Sequence, residues 1–256
     1  MIGTILNAAG ILIGGILGLF WKQQMSQATQ VALKGLLGVL TVYVGLRAVW
    51  LGLGGGLWGG AKQLLILVLA LTLGRITGRL LRVQKGMNRL GQYAKQKFSA
   101  ADPNSPQRMG EGFMTCTVLF CVAPLAILGA VLDGLAGQWQ ALGIKALIDG
   151  LATMAFVRLF GWGSMVSALP VLSFQGTVSL GAKLIEPFLR EHALLDSVSM
   201  TSGMLVFCVA LIILEWPPTS GGVTPTAAPG APFRRIELGD YLPSLGFAPL
   251  LTWLWR

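Results

Sequence analysis

Hydrophobic residues along this chain come in long blocks, not in the alternation of a half-buried strand, and short polar stretches separate the blocks. Runs at 2–20, 35–53, 63–81, 112–132, 142–157, 163–182 and 198–214 each approach or reach the roughly 17–25 residues that a helix needs to cross a bilayer. An eighth run, 241–255, is short and contains Pro243 and Pro249, so it reads either as a short span or as an interfacial helix anchored by Trp253 and Trp255. The pattern predicts an all-α, polytopic transmembrane helix bundle of seven to eight spans. It divides into three spans (1–81), a connecting segment (82–110), four spans (111–215), a Pro/Gly-rich linker (216–240) and a closing membrane or interfacial helix (241–256).

Lysine and arginine set the orientation. Arg75, Arg79, Arg82, Lys85, Arg89, Lys95, Lys97 and Arg108 crowd the stretch after the third run, which places that stretch in the cytoplasm. Counting spans backwards puts the loop 21–34 inside and the N-terminus outside. Counting forwards puts 133–141 outside, the turn 158–162 inside, a polar loop 183–197 with the lone His192 outside, and the tail 215–240 inside. The first run is longer than a signal-peptide core and lacks a basic lead, so it reads as a retained helix. The stretch 82–110 reads as a basic amphipathic helix followed by a turn, with Arg82, Lys85 and Arg89 as contacts for anionic lipid headgroups.

Composition agrees with a membrane protein. Only 11% of the 256 residues are charged, against about 25% in soluble domains, while 54% are hydrophobic and mean hydropathy is +0.71. The net charge of +9 therefore reads as orientation and lipid contact, with no nucleic-acid partner expected. Cys116, Cys121 and Cys208 lie in apolar runs without metal-ligand spacing. No cofactor, metal site or catalytic arrangement is expected: there is no phosphate-binding loop, no HExxH, and no nucleophile–base pair on one side of the membrane.

Glycine is placed at helical spacing. Gly3, Asn7, Gly10, Gly14 and Gly18 share a face of the first run, and Gly74 and Gly78 repeat the four-residue step in the third. Small residues at that spacing let helices approach closely in lipid. The face serves either packing within the bundle or, in a sharper reading, a homo-oligomer interface or sliding surface.

The chemistry concentrates between 143 and 176. Lys145 and Asp149 are four apart, hence on one helical face. Ionisable groups deep in a membrane face a cavity, a partner or a pathway. Asp133, just past the fourth run, could join them as a polar mouth. Gly161, Gly163 and Ser164 form either a tight turn between two spans or a broken helix whose end binds an anion. Beyond them Ser164, Ser167, Val171 and Gln175 fall on one stripe, with Pro170 freeing a carbonyl within it. Arg47 can snorkel to the interface, and Glu111 stands at a helix start.

The runs MIGTILNAAGILIGGILG, GFMTCTVLFCVAPLAILGAVLDGL, IKALIDG and SALPVLSFQG resemble, in that order, the YdfK/YqgA-like family of bacterial inner-membrane proteins, a domain-of-unknown-function family. The resemblance implies a multi-pass protein of the bacterial cytoplasmic membrane, often described as a transporter candidate. It names no substrate. The positions that carry it are Asn7, Pro124, Asp133, Lys145, Asp149 and Gln175, and the Pro-rich stretch 216–233 departs from it. The expected function is a small secondary transporter or channel for a small solute or ion beside spans five and six. Asn7, Asp133, Lys145, Asp149, Ser164, Ser167 and Gln175 are its pathway candidates. The alternative is a non-transporting scaffold or lipid-interacting homo-oligomer.

Overall fold

A chain segment in hydrocarbon has no water to bond with, so it closes its own backbone hydrogen bonds as helix. The computed structural model describes residues 1–20, 26–53, 56–102, 105, 107–214 and 237–255, with Leu57 and Phe98 described by backbone alone. In chain order the helices are α1 (Ile2–Phe20), α2 (Gln27–Gly52), α3 (Leu57–Leu80), α4 (Val83–Ser99), α5 (Arg108–Val122), α6 (Pro124–Ala136), α7 (Gln140–Phe160), α8 (Gly163–Val166), α9 (Ala168–Glu191) and α10 (Leu195–Ile213). A 3-10 turn (Leu238–Tyr241) and α11 (Ser244–Leu254) close the chain, and no strand occurs among the described residues. Among the described residues five helices are long and apolar enough to cross a membrane: α1, α2, α3, the α8–α9 run Gly163–Glu191, and α10; the bent pair α5–α6 would make a sixth.

Several boundaries differ from the sequence reading. Residues 27–34, taken as loop, form the first turns of α2, where the Ser26 hydroxyl accepts from the Thr29 N–H at 3.1 Å. Lys22 lies outside the described residues, as does nearly all of the Pro-rich linker. The polar stretch 183–191, also taken as loop, continues α9, and the i,i+4 pair Glu186–Arg190 supports that last part. The run 112–132 is broken: α5 and α6 meet at Ala123 with a 60° bend. Pro124 is the cause, since it has no N–H and its ring would clash with the carbonyl of Phe120. Residues 238–240, assigned to the linker, are ordered in the 3-10 turn.

Glycines set how the helices stack. A Cβ on Gly10, Gly14 or Gly18 would stand 2.6, 2.0 or 2.5 Å from the carbonyl oxygens of Ala146, Gly150 and Met154. The two helices are therefore in backbone contact, and because both indices rise together α1 and α7 run parallel. On α2, Gly45 meets Phe207 and Gly52 meets Asp196, so α2 and α10 run antiparallel. Gly74 against Ser244 and Gly78 against Asp240 make α3 and α11 antiparallel as well. Glycine faces of α1 and α3 are thus occupied within the chain. With 11 residues, α11 is only about 16 Å long and covers part of α3.

The parallel pair fixes two ends of the bundle. Met1, the C-terminus of α6 and the N-terminus of α7 share one end, where the Met1 amino group lies 3.2 Å from Asp133. Gly163 packs on Met109 at the other end. That end also holds α4, where Lys97 pairs with Glu111 at 3.0 Å; this hydrogen bond holds the Lys97 ammonium above its usual range. The α3–α4 corner turns on Arg82, with φ +55°. It is clamped by the C-terminal segment: Asp240 Oδ1 accepts from the Gln84 N–H at 2.9 Å, and Gln84 Oε1 accepts from the Gly239 N–H at 2.6 Å.

Burial on α1 runs opposite to that of a soluble helix. Gly3, Thr4, Asn7, Ala8, Gly14, Gly15 and Gly18 face inward with a single large apolar residue, Ile11, while Ile2, Ile5, Ile13, Ile16 and Leu17 are exposed. Small and polar side chains inside with branched apolar ones outside suit a lipid surround. Gly14→Ala should lower thermal stability, in line with the ~1–3 kcal/mol that overpacking costs. Gly35→Ala, with open space at its Cβ, should be neutral or raise stability by up to ~1 kcal/mol. Melting curves of the two variants in detergent check this; equal behaviour would contradict backbone contact between α1 and α7.

Candidate functional site

Close approach of α1 to α7 brings side chains near the middle of the bundle within bonding distance. Lys145 and Asp149, one turn apart on α7, form an ion pair. Asn7, one turn before Gly10 on α1, donates through Nδ2 to Asp149 Oδ2 at 3.2 Å and to Gln175 Oε1 at 3.1 Å. Gln175 comes from α9, so three helices supply the four residues. All four are buried, with Lys145 2% and Asp149 4% exposed. Thr153 Oγ1 donates to the Asp149 carbonyl at 2.7 Å. The Phe120 ring of α5 lies 5.7 Å from the Lys145 ammonium, a cation–π contact.

The tetrad is partly satisfied. Asn7 Oδ1 and Gln175 Nε2, one acceptor and one donor, have no hydrogen-bond partner. A buried ion pair recovers its desolvation cost only when geometry and supporting hydrogen bonds are good. Here the carboxylate has an ammonium and an amide N–H, whereas the two carboxamides keep free valences at the same spot. Such groups bind water or a small polar species when one reaches them.

Other expected residues fall elsewhere. Asp133 does not converge with the pair: no bond joins it to Lys145 or Asp149. It caps α1 instead, accepting from the Thr4 N–H at 3.4 Å beside the Met1 amino group, as the positive end of a helix favours. Ser164 and Ser167 are fully buried near the opposite end, and Ser167 Oγ donates to the Ser164 carbonyl at 2.6 Å. Neither serine hydroxyl bonds to a member of the tetrad. The stripe through Ser164, Ser167, Val171 and Gln175 does face inward at every position.

Gly161, with φ +70°, is the turn that joins α7 to α8, and the helix beyond it is nearly continuous. Pro170 stands in the first turn of α9 and has no N–H, so the carbonyl of Val166, at the end of α8, lacks its usual i+4 donor. Arg82, Lys85 and Arg89 are exposed at the α4 end. His192 sits at the end of α9, its Nδ1 2.9 Å from the Phe188 carbonyl. An apolar cavity of about 470 Å³ lies between α1 and the α8–α9 run, lined by Leu12, Trp162, Met165 and Leu169 among others; none of the tetrad lines it.

Sequence reasoning missed three residues. Thr4 and Ser179 are buried without a hydroxyl partner, and Phe120 carries the cation–π contact. Thr4 is three before Asn7 and Ser179 four after Gln175, so extending each helical stripe by one turn would have found them.

The family model described as "Protein of unknown function (DUF554)" matches residues 2–253, and the chain belongs to that family. It is 28% identical over 214 residues to the "Uncharacterized membrane protein YdfK" of Bacillus subtilis, covering 84% of this chain and 86% of that one. It is also 28% identical over 215 residues to the "Uncharacterized protein YqgA" of Escherichia coli K12, covering 83% and 87%. No solved structure matches.

Removing one member of a buried pair costs about 3–5 kcal/mol, because a charge is left uncompensated. Lys145→Met should therefore destabilise the protein strongly, and adding Asp149→Asn should restore most of the loss. Thermal unfolding of the single and double variants in one detergent reads this directly. A double variant no more stable than Lys145→Met would mean the pair is not coupled.

Proposed function

We propose that this integral membrane protein is a small secondary transporter or channel for a small solute or ion, with its path running beside α7 and α9. In this reading α1, α2, α3, the bent α5–α6 pair, α7, α8–α9 and α10 cross the bacterial inner membrane, with the N-terminus outside. The basic residues of the α3–α4 corner then lie inside, as the positive-inside bias requires. The observation that carries the reading is the tetrad: an ion pair and two carboxamides with free valences, buried where ionisable groups are expensive and generally serve a pathway. Asp149 is the coupling position, Lys145 tunes it, and Asn7 with Gln175 line the way. Lys145→Met/Asp149→Asn, which leaves no buried charge uncompensated, should abolish solute- or ion-driven flux in proteoliposomes while the protein still inserts and elutes as the native species. Undiminished flux in that variant overturns the reading.

A second reading rests on α4. That helix holds no aspartate or glutamate, and Lys85 and Arg89 are exposed with Arg82 at its start. It suits a protein that reads anionic headgroups, as a lipid-interacting scaffold or oligomer would. Phosphatidylglycerol should raise the melting temperature more than phosphatidylcholine does, and Arg82→Gln/Lys85→Gln/Arg89→Gln should remove the difference. An unchanged difference excludes this role for α4.

A further inference from the structure

We infer that water reaches the Lys145–Asp149 pair from the Met1 end of the bundle, along a seam between α1 and α9, and that an apolar plug shuts the pair off from the opposite end. The species such a seam serves is the proton. This deepens the transporter reading and rests on it for the pair's role, though not for access.

The seam follows from which polar groups lack partners. Helical hydroxyls in hydrocarbon ordinarily bond back to the carbonyl four residues earlier. Thr41, Thr153, Thr177, Thr201 and Thr252 all do so. Ser179 does not, although it is fully buried. Thr4 Oγ1, Asn7 Oδ1 and Gln175 Nε2 are likewise buried without a partner. These four are not scattered. Thr4 and Asn7 are one turn apart on α1, and Ser179 and Gln175 one turn apart on the antiparallel α9. A Cβ added to Gly176 of α9 would stand 3.9 Å from the Thr4 methyl, and Gly134, next to Asp133, backs on the Ser179 carbonyl. The unpartnered groups thus step from the tetrad to Asp133 at the Met1 end.

One turn in the other direction the lining changes. Ile11 follows Asn7 on α1, Val171 precedes Gln175 on α9, and both are wholly buried in one apolar cluster with Phe120, against which Phe156 packs. Past that turn, unpartnered hydroxyls resume at Thr115 and Thr117 on α5 and Ser164 on α8, towards the opposite end; that of Ser202 lies on α10, outside the α1–α9 seam. The seam is polar on one side of the pair and dry on the other.

The mix of groups selects the species. A bound anion wants donors and a bound cation wants acceptors. The seam offers Gln175 Nε2 as donor, Asn7 Oδ1 as acceptor, and two hydroxyls that are both. That set suits a file of water, each molecule needing 2–4 polar partners. A proton arriving on the file forms an O–H bond at the Asp149 carboxylate as the bond to its last water breaks. Among the described residues Lys145 is the charged group paired with Asp149; Asn7 and Gln175 face the pair from α1 and α9, and Phe120 with the thiols of Cys116 and Cys121 from α5.

The test uses silver ions, close to water in size, against single cysteines in a Cys116→Ala/Cys121→Ala/Cys208→Ala background reconstituted in vesicles. Ser179→Cys and Thr4→Cys should lose their maleimide labelling after silver is added on the Met1 side, and keep it after silver on the other side. Val171→Cys should keep its labelling from the Met1 side. Seam thiols as protected as Val171→Cys, or equally reactive from both sides, overturn the inference. Labelling as expected with no measurable flux leaves the seam standing and removes the transporter; flux without labelling does the reverse. Ser179→Ala in the otherwise native chain supplies an independent arm. A dry seam predicts a higher melting temperature once the unpaired hydroxyl is gone, and a hydrated one predicts no rise.

Discussion

Backbone contact between α1 and α7, with no side chain interposed at Gly10, Gly14 and Gly150, is the constraint on which the rest of the bundle depends. In lipid no hydrophobic drive pulls helices together, so association rests on van der Waals packing and on bonds between helices. Contact this close gives both. It maximises dispersion along the pair, and it brings a side chain as short as that of Asn7 across to Asp149. Any wider spacing would leave the carboxylate of Asp149 with Lys145 alone.

The polar interior then has a definite logic. α7 carries two opposite charges and α1 and α9 one carboxamide each, so four polar groups from three helices share one small region. Apolar residues of the same volume would give a more stable bundle at that depth, since a buried ion pair rarely outperforms a hydrophobic replacement. Their presence is accordingly what the proposed transport role would lead one to expect. The capped, ion-paired Asp133 shows the contrast: its carboxylate completes a helix end and has a structural duty.

Sequence made the helical, membrane-embedded character legible, because a 19-residue uncharged block such as α1 has few other folds open to it. Lys145, Asp149 and Gln175 were equally visible as polar residues in apolar runs. What the pattern could not carry was context. Pro124 reads as one more residue in an apolar block until its ring meets the preceding turn. Stretch 183–191 looks like a loop because it is charged, yet its Glu186–Arg190 pair lies on a helix that projects beyond the apolar part. The glycine face of α1 admits either a second copy or another helix of the same chain, and only the fold decides for α7. Thr4 and Ser179 were passed over because threonine and serine usually satisfy themselves in helices; that these two do not is a fact of rotamer and neighbour.

The clamp of Asp240 on Gln84 has a consequence for how the molecule is made. The groove of α3 at Gly74 and Gly78, and the first N–H groups of α4, are both completed by residues more than 150 positions later in the chain. Until that segment has been synthesised, the first three helices sit in the bilayer with a bare backbone groove and an unfinished corner. Assembly therefore ends where the chain returns to its third helix, and a chain halted before residue 240 holds α1 to α10 yet leaves the α3 groove open, as exposed as any incompletely packed intermediate.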